Sequence, residues 1–163
     1  MTGTVLYPLN HMKELLPHVY ETGVAKYRGR EELMDTRIPV LGNCLWNDVL
    51  FLSAVCPSEV RKAYESVGGK PPKNHCFKIP IDSLDQSRMA VLTRMGMNMA
   101  SEHDVYERFD PLRMQAYAQI PRITLLYWQQ VLTQKQRPLY YLHIPHILYR
   151  GTIDVSNASV VDA

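Results

Sequence analysis

The stretch Asp48 to Gly69, DVLFLSAVCPSEVRKAYESVGG, carries a strand pattern and a helix pattern in immediate succession. Val49, Phe51 and Val55 alternate with Leu50, Leu52 and Ala54. Both sides of an extended segment over Asp48–Val55 are therefore apolar, and the pattern predicts a central strand buried on both faces. Pro57 and Ser58 then open a helix through Val60, Ala63, Tyr64 and Val67, which stops at Gly68-Gly69.

Upstream of that unit, Thr4 to Tyr7 reads as a short strand closed by Pro8. Asn10 is placed as an N-cap for the helical spacing of Met12, Leu15, Leu16, Val19, Tyr20, Val24 and Tyr27. Pro17 falls inside this pattern and either kinks the helix or starts a second one. Arg28 to Asp35 reads as a charged loop.

Downstream, Phe77, Ile79 and Ile81 alternate as in a half-buried strand, with Met89 to Thr93 as its expected neighbour. Met95 to Asp104 reads as a mobile loop whose methionines, Met95 to Met99, offer an adaptable contact surface. Pro111 to Ala118 and Pro121 to Gln134 predict two helices. Leu139 to His143, Ile147 to Arg150 and Val160 to Val161 predict closing strands. Strands and helices are mixed without regular β-α-β alternation. The expected fold is therefore α+β, one compact domain over residues 1–163 with a mixed, mainly antiparallel sheet and three to five helices.

The bulk numbers agree with a globular chain: 163 residues, 46% apolar and 21% charged. The net charge of +2 does not indicate a dedicated double-stranded DNA binder, whose affinity comes largely from phosphate neutralisation. Clusters such as Lys26, Arg28 and Arg30, or Lys70 and Lys73, read as solvated turns. Cys44, Cys56 and Cys76 are an odd number of cysteines beside apolar runs, read as small buried hydrophobes rather than a disulfide framework. The opening MTGTVLYPLNHMKELL lacks the pattern of a secretion signal, and no apolar run reaches the length of a membrane span. The expected setting is the cytoplasm, with no membrane partner.

Two clusters carry the candidate chemistry. In Gly42-Asn43-Cys44-Leu45-Trp46-Asn47-Asp48, Trp46 is placed to stack on a planar ligand and Asn47 to bind polar edges, with Asp48 an orienting or base group. In His143-Ile144-Pro145-His146, followed by Tyr149-Arg150-Gly151, either imidazole suits acid–base work near neutral pH. Arg150 presents a planar donor fork to phosphate or carboxylate, and Tyr149 with Tyr140 and Tyr141 offers walls for a flat ligand. The spacing of His143 and His146 fixes no third ligand, so no metal site is assigned and no cofactor is identified. A cysteine nucleophile would be Cys56, at the start of the helix opened by Pro57. Walker, GxGxxG, GxSxG, HExxH and CxxC motifs are absent, which disfavours the common hydrolase and dehydrogenase classes.

The element order also resembles that of small nucleic-acid-directed ADP-ribosyltransferases and RNA phosphotransferases. The correspondence runs from Leu6-Tyr7-Pro8-Leu9-Asn10-His11 through Gly23, then Val49 to Val55, then a strand-rich close from Leu139 to Val155. The resemblance implies an ADP-ribosyltransferase-like enzyme acting on nucleic acid or protein. The closing glutamate usual in such transferases has no counterpart, since Glu107 is the last glutamate here. The expectations are thus an enzyme using His143, His146 and Asp48 on a nucleotide- or phosphate-bearing small molecule, or a binding module using the same residues without chemistry. Convergence of the two clusters in one concavity separates them.

Overall fold

The computed structural model describes residues 4–94 and 104–162, and proline and glycine punctuate its elements much as they punctuate the sequence. Strand β1 (Val5–Leu6) leads to helices α1 (Met12–Leu15) and α2 (Pro17–Val24), separated at Pro17. Short strands β2 (Arg37–Ile38), β3 (Cys44–Leu45) and β4 (Leu50–Leu52) follow, and then helix α3 (Pro57–Ser66). Next come β5 (His75–Lys78), β6 (Met89–Arg94), β7 (Val105–Arg108), and helices α4 (Met114–Tyr117) and α5 (Arg122–Thr133). Strands β8 (His146–Tyr149), β9 (Ile153–Asp154) and β10 (Ser159–Asp162) close the chain. The fold is α+β, and every strand pair among the described residues is antiparallel.

The main sheet runs β4-β8-β6-β7. In β8, Leu148 pairs with Phe51 of β4 and with Ala90 of β6, while Tyr149 pairs with Leu50 and Met89. Because successive side chains point to opposite faces, this register sorts the core. Ala90, Leu92 and Leu148 join Ile38, Trp46 and Val49 on one face. Met89, Ile147 and Tyr149 join Ile153 and Val155 on the other. A third cluster, Val60, Tyr64, Trp128 and Ile144, ties α3 to α5. Tyr64 meets Trp128 edge-on with ring centres 5.3 Å apart, an arrangement that aromatic quadrupoles favour.

Several expectations are corrected. The strand expected over Asp48–Val55 is neither central nor buried on both faces. It shortens to Leu50–Leu52 at the sheet edge, with Phe51 38% exposed. A turn at Ser53, whose Oγ accepts from the Val55 N–H, ends it. Residues 75–81 do not pair with Met89–Thr93: β5 pairs with β10, and Pro80, lacking an N–H, ends it before Ile81. Leu139–His143 is not a strand. Pro138 and Pro145 flank it, His143 has φ 67°, and hydrogen bonds run from Leu142 N to Leu139 O and from Ile144 N to Tyr141 O. Arg28–Asp35 holds a short 3₁₀ helix at Glu31–Asp35, drawn in by buried Leu33. Asn10 caps no helix. The methionine-rich segment, apart from Asp104, lies outside the described residues.

One buried hydrogen bond locks α5 onto the turn before β8. Thr124, fully buried, donates from Oγ1 to the Leu142 carbonyl at 3.1 Å. Thr124→Val keeps the shape and leaves that carbonyl without its side-chain donor, so denaturant unfolding should show a loss of about 1–3 kcal/mol. Thr124→Ser should recover most of that loss, and a Val variant as stable as the parent would show the bond to be dispensable.

Candidate functional site

Arg150 follows β8 by one residue, two positions beyond Leu148, and so belongs to the same sheet face as Ala90 and Leu148. Arg108 pairs with Ala90 from β7 and shares that face by parity. Arg88 immediately precedes β6, and its carbonyl accepts the Arg150 backbone N–H at 3.0 Å. The ladder between β8 and β6 thus continues by one step and sets the Arg88 backbone beside that of Arg150. These three arginines line an open cleft of ≈ 430 Å³, together with Ser87 and the Val40–Gly42 turn.

The Arg150 and Arg88 guanidinium groups are seated on different partners. Arg150 donates from Nη1 to the Leu41 carbonyl at 2.9 Å, which fixes it against that turn. Arg88 lies over the ring of Tyr149 at 5.7 Å, within cation–π range. It also passes over Gly151, whose φ of 152° needs glycine and whose absent Cβ would come within 2.7 Å of the guanidinium. No carboxylate lines the cleft, and among the described residues none pairs with Arg88, Arg108 or Arg150 within 4.0 Å. Asp85, two residues from Ser87, turns its Oδ1 to the Ser87 N–H and hydroxyl.

The two sequence clusters do meet, through Arg150 on Leu41 and through Phe51. The Phe51 ring lies 4.7 Å from Trp46 and 6.1 Å from His146. Of the candidate residues, however, only Arg150 lines the arginine cleft. Trp46, 2% exposed, is core, and Asn47 is buried with its Oδ1 accepting from Tyr27 Oη at 2.7 Å. Asp48 accepts from Asn10 Nδ2 at 2.7 Å through Oδ1 and from the Leu45 N–H at 2.8 Å through Oδ2, stitching the N-terminal segment to the β3 turn. Tyr149 points to the opposite sheet face and serves as the platform beneath Arg88.

His146 lies on the arginine face but four residues from Arg150, which is about 13 Å along an extended strand. Its Nδ1–H donates to the Ile144 carbonyl at 2.7 Å, and burial pushes its pKa below the ordinary value. His143 sits in the preceding turn, its ring edge-on to Tyr127 at 6.1 Å. The two imidazoles therefore have different ring neighbours. Among the described residues, no group of three or more His, Cys, Asp or Glu side chains could hold a metal.

Tyr140 and Tyr141 line a second cleft of ≈ 480 Å³ with Pro57, Pro72, Arg137 and Leu139, which shares no residue with the first. Only Cys44 among the cysteines is buried, and burial raises its thiol pKa against the lowering influence of Arg150. Cys56 is exposed at the start of α3, contrary to the expected burial, and hydrogen bonding to the Ser58 hydroxyl and backbone lowers its pKa. Cys76 is half-buried. No helix among the described residues is long and apolar enough to cross a membrane.

Sequence reasoning missed Arg88 and Arg108. Each sits at one end of a strand whose partner lies far away in sequence, so only the register brings it to Arg150. Comparison of the chain with protein-family models, with curated proteins and with solved structures finds no match in any of the three.

Asp48→Asn replaces a doubly accepting carboxylate by a group that brings N–H toward other donors, so it should lower stability by about 1–3 kcal/mol in denaturant unfolding. The Arg150→Ala variant of the exposed guanidinium should unfold within about 1 kcal/mol of the parent. The depressed His146 pKa means that the unfolded chain takes up a proton first as pH falls. Its contribution should be constant above the ordinary imidazole value of 6.5 and should diminish as pH drops from there through the folded value. Urea midpoints between about pH 7.5 and pH 5.5 should fall more steeply for the parent than for His146→Phe, and parallel curves would contradict this.

Proposed function

We propose that this protein binds a small phosphate-bearing molecule of the nucleotide or sugar-phosphate class in the cleft of Arg88, Arg108 and Arg150. The observation that carries the reading is a cleft lined by Arg88, Arg108 and Arg150 and by no carboxylate. Arginine stays charged at any working pH and matches phosphate oxygens with paired N–H donors. Positive residues lining one cleft repel one another, and an anionic ligand relieves that repulsion. Val40 and Leu41 give the rim an apolar ledge for the uncharged part of the ligand.

Binding is favoured over catalysis by where the titratable groups sit. Asp48 is engaged by two donors, and His146 is hydrogen-bonded and half-buried at the far end of the strand. An acid–base mechanism using these groups on a ligand in the cleft would need them to act well beyond hydrogen-bond reach of the phosphate.

The test is thermal unfolding with nucleotides, NAD, sugar phosphates, amino acids and carboxylic acids; NAD is included because of the transferase-like element order. A phosphate-bearing ligand at about 100 times its dissociation constant should stabilise by roughly 2.7 kcal/mol. That corresponds to about 2–4 °C per kcal/mol for a chain of this size. The shift should vanish in Arg150→Ala and Arg88→Ala while the ligand-free melting temperature changes little. If no phosphate compound raised it, or if both variants kept the full shift, the proposal would fall.

A further inference from the structure

We propose that the cleft formed by α3 and the turn before β8 binds a small planar aromatic carboxylate, with Arg137 as the partner of the carboxyl group. This cleft of ≈ 480 Å³ shares no residue with the arginine cleft, so the inference stands apart from the phosphate reading. Small-molecule sites span roughly 300–1,000 Å³ and combine apolar and aromatic walls with a few polar groups. One wall comes from α3 and the stretch that follows it. Pro57, Val60 and Arg61 line it, and Arg61 donates from Nη2 to the Pro72 carbonyl at 3.2 Å, which ties that stretch back to the helix. The other wall is Leu139 with Tyr140 and Tyr141. The Leu139 N–H donates to Tyr127 Oη of α5 at 3.0 Å, and Tyr140 meets Tyr64 of α3 edge-on with ring centres 5.0 Å apart.

Stiff, donor-poor walls select the body of the ligand. Pro57, Pro71, Pro72 and Pro138 all line the cleft, and proline has a fixed φ and no backbone N–H. Tyr140 and Tyr141 pack against the core cluster of Val60, Tyr64 and Trp128, so their rings are backed by buried residues. Walls already restrained lose little conformational freedom on binding, and tyrosine rings offer a flat ligand an apolar face. The charge of the lining selects the head group. Arg61 and Arg137 line the cleft, and no Asp or Glu does. Arg61 is engaged by the Pro72 carbonyl and by Glu65 at 3.9 Å, whereas Arg137 has no ion-pair partner within 4.0 Å among the described residues. One uncompensated positive charge matches the single negative charge of a carboxylate. A phosphate monoester carries about −1.5 to −2 at pH 7 and would hold part of that charge unpaired against apolar walls.

The experiment is titration of the isotope-labelled full chain with 2-naphthoate and with the neutral 2-naphthol at neutral pH, followed by amide NMR shifts. 2-Naphthoate should bind with a dissociation constant of about 0.1–1 mM. It should move the amides of Val60, Asn74, Leu139 and Tyr141 and leave those of Gly42, Ser87 and Arg150 in place. 2-Naphthol should bind at the same amides about threefold to tenfold more weakly. Arg137→Gln should bring 2-naphthoate down to the naphthol level while changing naphthol affinity less than about twofold. Leu139 is 46% exposed, so Leu139→Asp should keep the parent's thermal midpoint and, by setting a carboxylate in the lining, abolish the response to 2-naphthoate. Equal affinity for the two compounds, or undiminished naphthoate binding by Arg137→Gln, would overturn the inference. So would shifts confined to the arginine cleft, or amides that respond to neither compound.

Discussion

Strand β8 lies between β4 and β6, with Leu148 sealed on one face and Ile147 and Tyr149 on the other, and the rest of the molecule is arranged around it. A one-residue slip would turn Leu148 toward the second cluster and Tyr149 toward the first, exchanging every buried partner at once. The register is therefore strongly held. It also governs how the chain leaves the strand: once Leu148 faces Ala90, Arg150 must emerge on the same face one step beyond, beside Arg88. The cleft is a consequence of the core pairing, and the backbones of its arginines are positioned by buried residues outside its lining.

The same constraint explains why the polar residues of the 42–48 segment are engaged in holding structure. This segment crosses the sheet face at Trp46 and must bury its own backbone turn. Asp48 supplies the acceptors for Leu45 N–H and for Asn10, and Asn47 accepts the Tyr27 hydroxyl, whose pKa burial raises. A buried amide or carboxylate with its donors in place stabilises; with one removed it costs about 1–3 kcal/mol. Groups so engaged are poorly suited to rearranging around a substrate. The exposed Arg108 has no such internal commitment within the described residues, and Arg150 gives only one N–H to Leu41.

Local signals in the sequence located the elements that carry their own punctuation. Pro17 starts α2, Pro57 and Gly68-Gly69 bracket the α3 region, and the helices after Pro111 and Pro121 appear where expected. The α+β class came from that order. What local pattern could not reveal was partnership. Val49 to Val55 looked central because its residues are apolar on both sides, yet β4 is an edge strand whose Phe51 packs against Trp46 and His146. Residues 75–78 found their partner in the last four described residues of the chain, not in the nearer strand at Met89. Arg150 stood out because Gly151 comes next and the apolar run before it marks a strand end. Arg88 and Arg108 had no comparable context, since Arg108 sits in the short polar strand VYER and Arg88 in a turn capped by Asp85.

Placing three like charges on one exposed patch is unfavourable by itself, and the fold does not relieve it with nearby carboxylates in the cleft lining. Water and salt screen the repulsion to a fraction of its low-dielectric value, over a Debye length of about 8 Å at physiological ionic strength. The remaining repulsion is tolerated because the residues bearing the charges are fixed by backbone pairing: Arg108 by Ala90, Arg150 by the carbonyl of Arg88. Two of the side chains have further restraint, one on a carbonyl and one on an aromatic face. Side chains already restrained lose less conformational freedom when an anion arrives, so more of the electrostatic gain appears as affinity. Restraint set before any anion arrives is what a flexible basic tail of the same net charge lacks.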